Sequence, residues 1–183
     1  MANSAKELIE EHAVIMKVIA ALRKQADALS YGKRVPGTQL KETLDLLREF
    51  ADECHHVKEE KVLFPALAGI PQQKKAVDAF LEEHARGREH LGVMTDTLYG
   101  TCAGNSVTID RFAENADDYC ALLTKHIQKE NAIFAKVGEM FPDKENERME
   151  RAYAKVEKEE LGEGKHEKFV QRAEKLAASV EEP

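Results

Sequence analysis

The sequence has no tryptophan, few aromatics, three cysteines and no long apolar run, and these shortages exclude whole classes of protein. Cys54, Cys102 and Cys120 form no C-x-x-C pair, and an odd number does not close a disulfide framework, so reduced thiols are expected. Cys54 reads as a small buried hydrophobe, with a redox or ligand-supporting role as the alternative. No uninterrupted apolar stretch approaches the roughly 18–20 residues of a membrane-spanning helix. Positive charge is short as well: the formal net charge is -7 and there is no basic block, which argues against nucleic acid and against an anionic membrane as partner. The polar first residues, Met1 to Glu7, lack the apolar core of a signal peptide, so a cytoplasmic location is expected. What is plentiful is Glu and Lys, the mixture of a water-soluble, mostly helical chain.

Helical periodicity runs through most of it. A first helix is expected from about Ala5 to Leu29, opened by a Ser4/Glu7 capping box, with Leu8, Ile15, Ile19 and Leu22 on its apolar stripe and His12 filling one slot of that stripe. Gly32, Pro36 and Gly37 break the chain. Thr38 then caps a second helix through Leu40, Leu44, Leu47 and Ala51 to about Leu67, with Pro65 ending or kinking it. Pro71 opens a third helix whose stripe carries Val77, Phe80, His84, Gly87, Leu91 and Met94. A fourth starts at Ser106 and carries Phe112, Ala116, Tyr119 and Leu123 to His126. The expected fold is all-α: an antiparallel four-helix bundle over residues 1–141. A C-terminal extension over 142–183, two charged helices separated by Gly162-Glu163-Gly164, is expected to pack on its outside.

The chemistry concentrates at two matched turns. His55-x-x-x-Glu59 and His126-x-x-x-Glu130 each place an imidazole and a carboxylate on one helical face. Leu44, Leu47, Ala51 and Val62 share the face of His55 and Glu59, whereas His56 and Glu60 fall roughly 100° further round on an α-helix. The inward pair is therefore taken as His55 and Glu59. With His12 and His84, four helices each point an imidazole at the core. Burying these groups unpaired would be costly, and a shared cation resolves the cost. Four histidines and two glutamates exceed one tetrahedral zinc and suit two octahedral, redox-capable metals with the carboxylates able to bridge. His90, about 120° from His84, is either a peripheral ligand, a group behind the ligands or a surface residue. His166, among Lys165, Glu167 and Lys168, reads as solvated.

The ordered set His12, His55/Glu59, His84, His126/Glu130 resembles the hemerythrin-like (HHE cation-binding) family. Lys58 to Pro65 also resembles the KEE-x-x-LFP segment of di-iron proteins implicated in repair of iron–sulfur centres. The resemblance implies a centre of two non-haem iron ions, bridged by an oxygen atom and two carboxylates. It also implies terminal ligands at the four histidines and binding of dioxygen or another small ligand. One departure stands out: oxygen-carrying members place a second histidine four residues after the first on the third helix, and here that position is Arg88, which leaves His90 or solvent to complete the site.

Three functions follow as expectations. The first is binding of, or reaction with, dioxygen, nitric oxide or peroxide at an open iron position, with Tyr119 as a hydrogen-bond donor or simply a core residue. The second is iron donation to damaged clusters, or removal of peroxide or nitric oxide under stress. The third is a metal-free helical interaction domain in which histidines bond glutamates. No particular protein partner is indicated.

Overall fold

Glycine and proline set the boundaries of a chain that is helical almost everywhere between them. The computed structural model describes residues 2–160, 162 and 165–181, with no strand among them. Helix α1 spans Lys6–Ser30. The second rod begins as α2, Gly37–Leu46, passes through π-helical turns at Leu47–His56 and Glu59–Leu63, and ends in α3, Phe64–Ala68. Then come α4, Pro71–Cys102, and α5, Ser106–Phe134. The short α6, Val137–Met140, leads to α7, Asp143–Glu160, and α8, Lys165–Glu181.

Local details differ from the expectations in three places. Ser4 does not cap α1: its N–H donates to Asn146 Oδ1 at 3.0 Å, drawing the N-terminus onto the C-terminal segment. Thr38 lies inside the first turn of α2, which already starts at Gly37 behind Pro36. Pro65 neither ends nor breaks its rod at once, because it sits in the first turn of α3, where the missing N–H costs little. Asn105 Oδ1, accepting from the Thr108 N–H at 3.3 Å, caps α5. Glu163 and Gly164 of the expected break lie outside the described residues, while Gly162 has a φ of 88°.

The four long rods, α1, α2 to α3, α4 and α5, form a four-helix bundle in which each packs on its chain neighbours and α5 returns to α1. Short connections make those neighbours antiparallel. At Gly87 a Cβ would come 3.3 Å from Leu123 Cδ2, so the glycine serves the close approach of α4 to α5. The C-terminal helices pack outside this frame. Helix α7 lies on the π-helical turns and α8 on α1 and α2. Arg172 grips Glu42 at 2.7 and 3.0 Å and Glu49 at 3.1 Å, and Phe169 meets Phe50. None of the described helices is long and apolar enough to cross a membrane.

The apolar core is in two pieces. The larger contains Ile15, Ile19, Phe50, Cys54, Leu91, Met94, Leu123 and Ile127. The smaller contains Leu8, Leu63, Phe64, Phe80, Phe134, Met149 and Tyr153. On the first three rods the break between them falls at the histidines and on α5 at Glu130, one turn past His126, so a buried polar layer crosses the bundle.

Candidate metal centre

Two groups of buried side chains meet in that layer. One comprises His12, His55, Glu59 and Glu130, the other His56, Glu59, His84 and His126. Within each group, one donor atom per residue lies within 4.8 Å of all the others. All seven residues are 5 % exposed or less. Both carboxylates face both groups. Glu59 Oε1 is 3.1 Å from His55 Nε2 and its Oε2 is 3.4 Å from His84 Nε2. Glu130 Oε2 is 3.2 Å from His12 Nε2 and 3.0 Å from His126 Nε2.

His56 is the residue that the sequence reading turned outward. It is buried and stacked on His84, with ring centroids 3.8 Å apart. The reason is the π-helical stretch: i→i+5 hydrogen bonding widens the turn, so fewer degrees separate His55 from His56 and both reach the interior. The fifth imidazole at the layer is thus His56. His90 stays outside both groups and meets Asn115 Oδ1 at 2.9 Å.

Each inward imidazole is fixed from behind through Nδ1. His12 meets Asn131 Oδ1 at 2.7 Å, His55 meets Glu11 at 2.8 Å and His56 meets Asp52 at 3.3 Å. His84 meets Glu60 at 2.7 Å and His126 meets Glu83 at 2.9 Å. An acceptor at Nδ1 selects the tautomer that leaves Nε2 bare. Arg88 joins two of these supports, at 2.8 Å to Asp52 and 2.7 Å to Glu60, so it orients His56 and His84 rather than replacing a ligand. Glu11 also accepts from Lys58 at 2.6 Å, and Lys58 is fully buried. The charged neighbours of His166 predict a solvated ring; instead it donates to Glu11 at 2.9 Å and lies beside the Phe50 ring. Tyr119 packs in the larger core.

The inward atoms have too few partners. Among the described residues, no hydrogen bond reaches His12 Nε2, His55 Nε2 or any of the four oxygens of Glu59 and Glu130. The neighbouring nitrogens and oxygens are close but poorly aligned. His84 Nε2 and His126 Nε2 stand 3.0 Å apart, a contact that needs a proton on one of the two rings or a cation between them. Aromatic rings exclude water: Phe134 stacks on His12, Phe64 on His84, and Phe80 meets His126 edge-on.

Proton affinities follow from this crowding. Burial pushes His55 down, but Glu59 and Glu11 overcome it and raise its pKa to about 10. Burial and the neighbouring His84 push His56 down to about 3. Burial would raise Glu59 and Glu130, yet the surrounding imidazoles hold both ionised. Glu11 is held well below the usual carboxylate range against its burial by His166, His55 and Lys58. Ionised carboxylates with unsatisfied oxygens, facing imidazole Nε2 atoms whose protons a metal would displace, form a donor set for a multivalent cation.

The sequence family described as the hemerythrin HHE cation binding domain matches residues 3–137. An uncharacterized protein of Mycobacterium bovis is 22% identical over 167 residues, covering 82% of this chain and 64% of its own length. An uncharacterized protein of Mycobacterium tuberculosis, strain H37Rv, matches to the same extent. The chain therefore spans less than two thirds of these curated relatives. No solved structure matches it.

Proposed function

This chain belongs to the hemerythrin HHE cation binding domain family, and from that premise we propose that it holds two non-haem iron ions. His12 and His55 would ligate one, His56, His84 and His126 the other, with Glu59 and Glu130 shared between them. The observation that carries the proposal is the double orientation of the layer: five imidazoles are tied outward at Nδ1, while their Nε2 atoms and four orphaned carboxylate oxygens converge. Leaving one buried charge uncompensated costs on the order of 3–5 kcal/mol, against a net stability of about 5–15 kcal/mol for a whole domain. The metal-free reading, in which the histidines satisfy the glutamates, does not account for those orphaned oxygens.

A bound iron pair supplies redox capacity and coordination positions open to dioxygen, nitric oxide or peroxide. The residues do the rest. Outer carboxylates and Asn131 hold each imidazole in the metal-binding tautomer, the phenylalanines keep the layer dry, and Glu59 and Glu130 supply negative charge that two cations would balance. The His12/His55 group offers fewer nitrogens than its neighbour, so we place small-ligand binding on that side.

Metal analysis of protein expressed without a histidine tag tests the first step. Two irons per chain are expected, and absence of bound transition metal overturns the reading. Mixing the reduced, loaded protein anaerobically with dioxygen then separates the activities. A reversible charge-transfer band supports a carrier or sensor, whereas irreversible oxidation with iron release supports donation.

A further inference from the structure

We propose that His166 and Glu157, contributed by the C-terminal helices beyond the family-matched residues, are positioning residues for the His12/His55 group, acting on His55 through Glu11 and Lys58. The inference rests on the two-ion reading above and concerns which parts of this chain build it.

The contacts form one continuous path. Glu11 Oε2 accepts from His55 Nδ1 at 2.8 Å, while Oε1 takes Lys58 Nζ at 2.6 Å and His166 Nε2 at 2.9 Å. Lys58 Nζ donates to Glu7 and to Glu11, each at 2.6 Å, and forms an ion pair with Glu157 Oε2 at 3.2 Å. Glu11 is 2 % exposed and Lys58 fully buried, so little water is present to replace a missing partner. Nδ1 of the other four inward imidazoles meets a group lying within residues 3–137: Asn131, Asp52, Glu60 and Glu83. Among the described residues, His55 alone of the five has its support fastened to the extension.

The placement of His166 is itself informative. Its chain neighbours Lys165, Glu167 and Lys168 are all charged, yet its ring turns inward against Phe50 and reaches a buried carboxylate. Helix α8 does not need this contact for attachment. Arg172 clamps it to Glu42 and Glu49, and Gln39 donates to Ser179 at 2.9 Å. A chain that needed only a cover for the bundle would have no use for an imidazole there.

The test is the release of ferrous iron to a colorimetric chelator from the full chain loaded anaerobically with two ions. His166→Ala is expected to speed the loss of one ion ~10-fold, the lower end of the range for groups supporting metal-bound histidines, and to leave the other unchanged. His166→Gln, whose amide Nε2 can reach Glu11 as the ring Nε2 does, restores the slow rate. Glu157→Gln speeds the same ion by a smaller factor. Arg172→Ala removes one clamp of α8 while Gln39–Ser179 and Lys17–Glu174 keep the helix docked, and leaves both rates alone. Unchanged release from His166→Ala, equal acceleration of both ions, or the same effect from Arg172→Ala would overturn the proposal. Should His166→Ala lose helix content by circular dichroism, the comparison of Glu157→Gln with Arg172→Ala decides in its place. A wild-type chain that takes up no metal sinks the two-ion reading itself, and is recognised before any variant is compared.

Discussion

The two halves of the polar layer are supported in opposite ways. Behind His55 stand Glu11 and Lys58, 2 % and 0 % exposed, with α7 and α8 reaching over them. Behind His56 and His84 stand Asp52, Glu60 and Arg88, whose side chains are 21, 26 and 40 % exposed. Behind His126 stands Glu83, at 18 %, which also pairs with the exposed Lys129. Water can stand in for a lost partner on the open side and not on the sealed one. The proposed ligands are thus held by a dry frame behind His55, by a half-buried Asn131 behind His12, and by a solvated, exchangeable frame behind His56, His84 and His126.

The largest effect should come from a residue that belongs to both sides. Glu59→Ala is expected to reduce metal content from two ions per chain to fewer than one, read by mass spectrometry. Loss of only one ion would show that the halves are independent. Next, His56→Ala should remove one ion and leave the His12/His55 ion in place, while His12→Ala does the reverse; an unchanged count removes that residue from the ligand set.

The comparison sharpens at the supporting carboxylates. Glu11→Gln should weaken the sealed-side ion by about 100-fold and Glu60→Gln the open-side ion by only about 10-fold, the two ends of the range for such supports. Equal effects would mean that burial of the frame is irrelevant. Arg88→Ala, at an exposed ion pair, should cost no more than about 1 kcal/mol in chemical denaturation. The smallest perturbation is a thiol reagent at pH 8. Cys102 is exposed while Cys54 and Cys120 are buried. Burial pushes the Cys54 thiol up, and Cys120 up to about 11. One cysteine should therefore react quickly, with the other two accelerating only as pH rises or the chain unfolds. Fast labelling of Cys54 would show that the sealed side is open.

The rods were legible because their apolar stripes and breakers are local signals. The layer was legible at His12, His55, Glu59, His84, His126 and Glu130, which stand where aliphatic residues would otherwise continue a stripe. His56 was hidden by the assumption of 100° per residue. The pairs Leu46/Leu47, Phe50/Ala51 and Cys54/His55 are all buried and recur every four residues without drift, which fits a wider turn and was the available sign of it. Glu11 and Lys58 carry no local sign of their role, because nothing near them in sequence reveals that α7 and α8 will bring Glu157 and His166 to them. His166 was misread for the same reason: its charged neighbours describe one face of α8, and only the tertiary fold shows what the other face meets.

The interruption of the apolar core has a mechanical consequence. Without the proposed cations the bundle has a built-in seam, and the small cap of Leu8, Leu63, Phe64, Phe80 and Phe134 should swing open as a separate cooperative unit. Amide exchange would then split into a fast-opening tip and a slow main body, two populations that metal binding welds into one.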